Sequence, residues 1–401
     1  METILKAYKY RMYPNKQQEI LLLKHFGCTR WLYNYALDKK IKAYKQENKN
    51  LSRFEIQKDL PMLKKSKETE WLKEINSQSL QAALEHLDNA YRKFFKEKAG
   101  FPKFKSKHDN RQSFSVPQSV YVDCEGASVS IPKFDNIKIV IDRQIDGKIK
   151  SATVSKTPTG KYFISILVDT GLKIPEKPEV KIETSVGIDL GIKDFAVLSN
   201  GKKIENHKFL KKNIHRLKKL QKRASKKVKG SNNRKKANRR VARQHEKITY
   251  ARTDFLHKLS TKMIRENQTI CLEDLNVKGM MQNHKLSQCI GDAGWSSFMS
   301  MLQYKSDWYG KNLLTIGRFD PSSKMCSKCG TIKGDLTLKD RKWACSCCGA
   351  IHSRDYNASI NIRDFALKQF IGVECSDYKP VESSTLVGSV KQETQPSLVV
   401  G

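Results

Sequence analysis

The sequence predicts a multidomain α/β protein with a small metal-binding ribbon near its C-terminal end. Three observations carry this. Helical periodicity gives way to strand periodicity near residue 112, a mixed pattern resumes after Pro175 and Pro178, and two Cys-x-x-Cys pairs follow near the end. At 401 residues the chain is long enough for several cores.

Thr3 to Pro14 alternates as a strand, interleaving Lys6, Lys9 and Arg11 with Tyr8, Tyr10 and Tyr13. Asn15 with Gln18 forms a capping-box pair, and Ile20, Leu23, Phe26, Trp31, Leu32, Tyr35 and Leu37 continue at helical spacing. Ser52 with Glu55 is a second box. Leu80, Leu84, Leu87, Tyr91, Phe94 and Phe95 predict a helix that buries one face, stopped by Gly100 and Pro102. From 112 to 180, short runs such as SATVSKT and YFISILVD are separated by Gly, Pro and Asp. They predict a small barrel or meander. The N-terminal strand is expected to complete it, with the helices inserted between its strands.

Beyond the Pro175/Pro178 boundary, strands are predicted at 185–190 and 195–198. Asn200-Gly201 signals a two-residue hairpin, with a return strand over 204–209. Phe255, Leu259 and Met263 predict a helix, and 269–272 a strand ending at Glu273. A further helix carries Trp295, Phe298, Leu302 and Trp308, whose aromatics are expected in the core. After Val373 periodicity is lost, so 374–401 is expected to be a mobile tail.

Charge narrows the function. Lys plus Arg number 76 against 41 Asp plus Glu, a formal +35, and such a chain expects a large polyanion. No apolar run reaches the ~18–20 residues of a membrane span, and the opening METILKAYKYRMYP has no secretory h-region. A cytoplasmic location without membrane contact is therefore expected. Residues 202–247 hold 20 lysines and arginines against Glu205 and Glu246. Leu210, Ile214, Leu217 and Leu220 keep an apolar stripe inside this run. A solvated helical face would mix the signs, whereas a single-sign run fits phosphate contacts. Arg216, Lys219 and Arg223 are candidates for those contacts.

Five of the ten cysteines lie between 326 and 348, which reads as a metal site in a reducing compartment. Cys326-x-x-Cys329 and Cys345-x-x-Cys348 are separated by 15 residues, and each pair is followed by glycine. This spacing fits a four-thiolate Zn²⁺ site. Cys347 is a possible competitor, but the spacing and the trailing glycine favour Cys345 and Cys348. Four thiolates leave no position for water, so the zinc is expected to be structural.

Asp189 sits in the apolar run VGIDLG, Glu273 ends the run ICLE, and Asp355 opens the helical pattern DYNASINI. Each has a plain explanation alone: a lysine partner for Asp189, a turn for Glu273 and a helix cap for Asp355. Together, three acids leaving apolar elements would repel unless a hard cation sat among them. Carboxylates suit Mg²⁺ or Mn²⁺. In a nucleic-acid-binding protein the corresponding chemistry is phosphodiester hydrolysis, with two ions roughly 4 Å apart serving the attacking and leaving oxygens.

The order VGIDLGIKDFAV, CLEDLNVKGM, PSSKMCSKCG and CSCCGAIHSRDYNASINI resembles the TnpB proteins of bacterial and archaeal insertion sequences, compact relatives of type V CRISPR effectors. The likeness extends to YKYRMYPN, GFPKFKSK, DFLHKLST and DAGWSSFMSMLQYK, nearly the whole chain. It implies an RNA-guided DNA endonuclease with an RNase H-like (RuvC) nuclease domain over 181–321 and 353–373, and a zinc ribbon inserted at 322–352. It further implies a wedge-like β domain from 1–14 and 108–180, and a helical recognition lobe over 15–107. Asp189, Glu273 and Asp355 match the family's metal-binding acids. Ser77, Gln78, Gln81 and Ser115 fall where a short motif flanking the target is read, and Tyr8 or Tyr10 could stack on bases. The implied partners are a guide RNA transcribed from the element's end and double-stranded target DNA; the oligomeric state is left open, a monomer being favoured. Ser353 stands where the family often has a further Asp, which bears only on an auxiliary contact. The alternatives are a DNA-joining transposase, an RNA-guided repressor that does not cut, and a generic RNA-associated zinc protein.

Overall fold

A computed structural model describes residues 3–97, 99–109, 112–337 and 339–371. The expected tail over 374–401 lies outside the described residues. The backbone divides into two compact units, 1–173 and 174–401. The boundary thus falls before the expected 180/181. The reason is local: the segment after the last strand of unit 1 packs within unit 2, where Asn312 Nδ2 donates to the Pro178 carbonyl at 2.8 Å.

Unit 1 runs β1 (Thr3–Tyr13), α1 (Lys16–Glu47), α2 (Arg53–Gln57), α3 (Leu60–Lys65), a 3-10 turn (Glu70–Glu74) and α4 (Ser77–Glu97). Strands β2 (Gln112–Val116), β3 (Tyr121–Asp123), β4 (Ser128–Ile131), β5 (Phe134–Val140), β6 (Lys148–Lys156) and β7 (Tyr162–Lys173) follow. Both capping boxes form, Asn15 with Gln18 and Ser52 with Glu55. The seven strands make one antiparallel sheet in the order β2-β6-β7-β1-β5-β4-β3, so the N-terminal strand lies at its centre. It is an open sheet, with β2 and β3 at its edges, and it curls strongly. The His25 ring of α1 lies 4.9 Å from Phe114 of β2 and 4.9 Å from Phe134 of β5. Those strands sit four places apart, about 19 Å in a flat sheet. Leu22 and Phe26 of α1 fill the resulting concave core.

Leu80, Leu84 and Leu87 of α4 are buried against α1, as their spacing requires. The apolar stripe does not stay covered to its end: Phe95 is 71% exposed, stacking on Tyr91 and meeting Phe94 edge-on.

Unit 2 begins with β8 (Ser185–Leu190), β9 (Asp194–Leu198) and β10 (Lys203–Glu205), then α5 (Phe209–Ser225), α6 (Asn232–Glu266) and β11 (Thr269–Glu273). It continues with α7 (Val277–Met280), α8 (Ser287–Ala293), α9 (Trp295–Trp308), β12 (Asn312–Ile316), β13 (Lys342–Ala344), β14 (Ile351–Ser353) and α10 (Arg354–Ile371). The main sheet has the order β10-β9-β8-β11-β12. Its first three strands are antiparallel, and β8, β11 and β12 run parallel. Parallel strands require cover on both faces. Val186, Ile188, Ile270 and Leu272 face α6 and α9, where Trp295, Phe298 and Leu302 are buried as expected. Cys271 faces Ile362 and Ala366 of α10.

Two local expectations change. The β9–β10 connection is a three-residue loop: the Gly201 N–H donates to the Leu198 carbonyl, and that of Leu198 to the Lys202 carbonyl, both at 2.9 Å. Gly201 takes φ +83 while Asn200 stays at negative φ, so this is a common turn followed by a left-handed glycine, not a mirror-image two-residue turn. The return strand ends at Glu205 because α5 starts at Phe209, leaving no room for strand to that residue. The α5 N-terminus is capped from outside the helix. The Leu210 N–H donates to Asp292 Oδ1 at 2.8 Å and that of Lys211 to Oδ2 at 3.2 Å, so a buried carboxylate meets the helix dipole.

Candidate metal centres and nucleic-acid interface

Register brings the first two acids together. Along the β8/β11 ladder Gly187 pairs with Cys271 and Ile188 with Leu272, so the next step sets Asp189 beside Glu273 on neighbouring parallel strands. Alternation then decides their face. A Cβ on Gly187 would lie 2.0 Å from the Ser359 carbonyl of α10, so this position faces α10 and accepts only glycine. Asp189 and Glu273, each two residues on, share that face. Asp355 enters it from the first turn of α10.

Electrostatics reports the same proximity. Burial pushes the Asp189 carboxyl well above the usual carboxylate range, and Glu273 and then Asp355 push it further, against Arg354 and Arg341. All three acids keep partial solvent exposure, so a substrate can reach them. Glu273 Oε1 accepts the Ser322 hydroxyl at 2.5 Å, and Asp355 lies 3.6 Å from the Arg341 guanidinium. The cations that act on Asp189 are Arg354 and Arg341 rather than a lysine. The turn expected at Glu273 does form, with the Leu275 N–H donating to the Glu273 carbonyl at 3.1 Å and the neighbouring Asp274 pairing with Arg318 at 2.7 Å.

The ribbon lies between β12 and α10. Sγ atoms of Cys326, Cys329, Cys345 and Cys348 all lie within 4.8 Å of one another, with Cys326–Cys348 at 3.7 Å and Cys329–Cys345 at 3.5 Å. Tetrahedral thiolates at the usual Zn–S length would be about 3.8 Å apart, so the donor set fits zinc. The two knuckles are copies of one turn. Gly330 N–H donates to the Cys326 carbonyl and Gly349 N–H to that of Cys345, with both glycines left-handed at φ +78 and +67. Cys347 is exposed and outside the cluster. His352 Nε2 lies 3.0 Å from Cys326 Sγ, a contact that the sequence pattern did not signal. Among the described residues these four cysteines are the one set of side chains whose ligand atoms already lie close enough to hold a metal ion; Asp189, Glu273 and Asp355 do not form such a set in this structure.

Among similar proteins, one named "Putative RNA-guided DNA endonuclease" in Streptomyces pristinaespiralis is 40% identical over 400 residues, covering 98% of each chain. The chain belongs to the TnpB family. InsQ of Escherichia coli K12, which carries the same description, is 32% identical across 89% of this chain and 91% of its own. TnpB-like protein L770 of a mimivirus is 23% identical across 91% of this chain. Family models described as "Probable transposase", "Cas12f1-like, TNB domain" and "Helix-turn-helix domain" match residues 164–284, 295–362 and 1–49. The last span is here one strand and one 32-residue helix. In fold, the chain matches the Cas12f1–sgRNA–target DNA complex solved by cryo-EM, with TM-score 0.54, 15% identity and coverage of 90% of this chain and 99% of the other.

In this TnpB-family chain the candidate nucleic-acid contacts divide. Tyr8 and Tyr10 are on the inward face of β1 with Met12, so the expectation that they stack on bases is wrong. Alternation sends Tyr8 and Tyr10 to the inner face and Lys9, Arg11 and the exposed Tyr13 to the outer one. Burial raises the Tyr10 hydroxyl to about 12, and it donates to the Arg143 carbonyl at 2.7 Å. Tyr10→Phe is expected to cost about 1 kcal/mol in chemical denaturation and to leave RNA affinity unchanged. Lys9 and Arg11 face outward instead, over the Phe163 ring.

Ser77 and Gln81 of α4 are exposed, and Gln78 is half-buried with its Oε1 lacking a hydrogen-bond partner. Ser115 of β2 lies against α4, its hydroxyl 3.3 Å from His86 Nε2. Ser77, Gln78 and Gln81 lie in the first two turns of that helix, whereas His86 stands nine residues beyond Ser77. Arg216, Lys219 and Arg223 line the exposed face of α5, while Leu217 and Ala224 turn inward. The basic run and the later apolar pattern proved continuous, since α6 spans both over 35 residues.

Proposed function

We propose that this protein is an RNA-guided DNA endonuclease that hydrolyses phosphodiesters at Asp189, Glu273 and Asp355, using Mg²⁺ or Mn²⁺. The observation that carries the reading is the shared face of Asp189 and Glu273 opposite the first turn of α10, where three carboxylates repel one another. Three carboxylates are the donor set of a hard cation. When bound, such ions activate water and stabilise the leaving 3′-oxygen. The chain's own part is to aim the acids from two rigid strands and a helix. Three antiparallel strands followed by two parallel ones support the RNase H-like, RuvC-type assignment. The curled sheet and α1–α4 of unit 1 support the wedge and recognition readings. The relatives named as RNA-guided endonucleases, and the fold shared with a protein solved on guide and target, support a guide RNA and double-stranded DNA as partners.

Cations on α5 and α6 would hold these nucleic acids by phosphate charge, with pairing supplying the sequence. Among the described residues no helix is long and apolar enough to cross a membrane. Sequencing the RNA that co-purifies with the protein tests the reading. A transcript ending in a variable guide, which then programs cleavage of matching DNA, is the expected outcome; RNA of random origin and no programmed cleavage would refute it. Joined DNA ends in place of broken ones would favour a transposase. Replacing Arg216, Lys219 and Arg223 together by alanine should lower the slope of log affinity against log salt by about two to three, measured by filter binding.

A further inference from the structure

Ser322 links the ribbon to the acidic site. It stands at the entrance to the ribbon, four residues before Cys326, and is 4% exposed. Its hydroxyl donates to Glu273 Oε1 at 2.5 Å. Its carbonyl accepts from Asn361 Nδ2 at 2.7 Å, and the same Asn361 amide donates to the Met325 carbonyl at 2.7 Å. One helical turn earlier, Asn357 takes the Ser327 N–H on its Oδ1 at 2.9 Å and donates Nδ2 to the Met325 carbonyl at 2.7 Å. Asn357 and Asn361 are each 1% exposed. At i and i+4 they share one face of α10, the helix that carries Asp355.

The first zinc knuckle is therefore clamped to α10 on both sides of Met325, and the clamp ends in a hydroxyl on an acid of β11. From this geometry we infer that Ser322 is a positioning residue for divalent-cation binding, and that the asparagine pair makes the ribbon the support that holds it in place. The inference rests on the proposed metal site. A carboxylate at a strand end can rotate about its own bonds. A donor on Oε1 restricts that rotation and so sets the orientation in which the group meets a cation. Because the Ser322 backbone is itself held by Asn361, the hydroxyl cannot follow a swinging carboxylate. Outer partners of metal-ligating carboxylates typically carry a 10–100-fold effect on affinity. The sequence held a trace of this in PSSKMC and DYNASIN, but neither reveals its partner.

The test is a Mn²⁺ titration of the RNA-loaded protein followed by electron paramagnetic resonance, with zinc content measured in parallel. Ser322→Ala removes a single hydroxyl. It is expected to weaken Mn²⁺ binding about 10-fold and to shift the Mn²⁺ dependence of cleavage by the same factor, with zinc content and melting temperature unchanged. Ser322→Thr, which keeps the donor, should stay closer to wild type than Ser322→Ala. Wild-type Mn²⁺ affinity in Ser322→Ala, or zinc lost together with Mn²⁺, would overturn the inference. Asp189→Ala in the same titration separates the two levels. If it too binds Mn²⁺ normally, the metal site itself is misassigned; if only it fails to bind, Ser322 alone is.

Discussion

Asp189→Ala is expected to lower DNA cleavage by roughly three orders of magnitude or more while guided DNA binding stays near wild type. Asp189 feels both other acids, with Glu273 next in register and Asp355 on α10. Removing it deletes a ligand and relieves repulsion at once, so the folded protein should lose no stability and added Mg²⁺ should not restore cleavage. The measurement pairs a cleavage time course with gel-shift titration of RNA-loaded protein on matched DNA. Residual cutting at the wild-type rate would show that the three carboxylates are not the hydrolytic centre. Equal loss of binding and cleavage would mean that Asp189 serves the fold.

The second large effect concerns zinc. Cys345→Ser combined with Cys348→Ser removes one knuckle, and the ribbon has little else to hold it: its apolar core is Leu336, Trp343 and the buried cysteines. Structural zinc supplies about 10–16 kcal/mol of folding free energy in small domains, far beyond what that cluster provides. Zinc content should fall from one per chain to none, and limited proteolysis should cut within 322–352 while the β8–β12 sheet stays protected. A double variant that kept its zinc, or a ribbon that resisted protease without it, would refute the four-thiolate assignment. Through Asn357 and Asn361, unfolding of the first knuckle would also release the Ser322 backbone.

Much of the fold was legible because the signals were local. The capping boxes Asn15/Gln18 and Ser52/Glu55 fix helix starts through side-chain bonds to nearby backbone, so they survive any tertiary context. The ribbon could be read for the same reason, since each knuckle closes within five residues. Tyr8 and Tyr10 were misread because alternation announces two faces without saying which one is inside. Tyr8 and Tyr10 go inward because β1 is the central strand of a curled sheet, while Tyr13 of the same strand stays exposed. Strand β12, although bracketed by Gly310 and Gly317, carries no clean alternation of its own and forms as the parallel partner of β11.

The sequence by itself determined the inventory: which helices start where, four thiolates at zinc spacing, three acids on apolar runs, and a basic segment with its charge of one sign. These follow from residue type and short-range spacing, which the chain carries before it folds. The tertiary structure alone decided which groups meet. The β8/β11 register aligned Asp189 with Glu273, the missing Cβ of Gly187 let α10 approach, and the amides of α10 brought Ser322 to Glu273. Contacts between residues tens of positions apart depend on how the sheet and helices pack, and packing is a property of the whole fold.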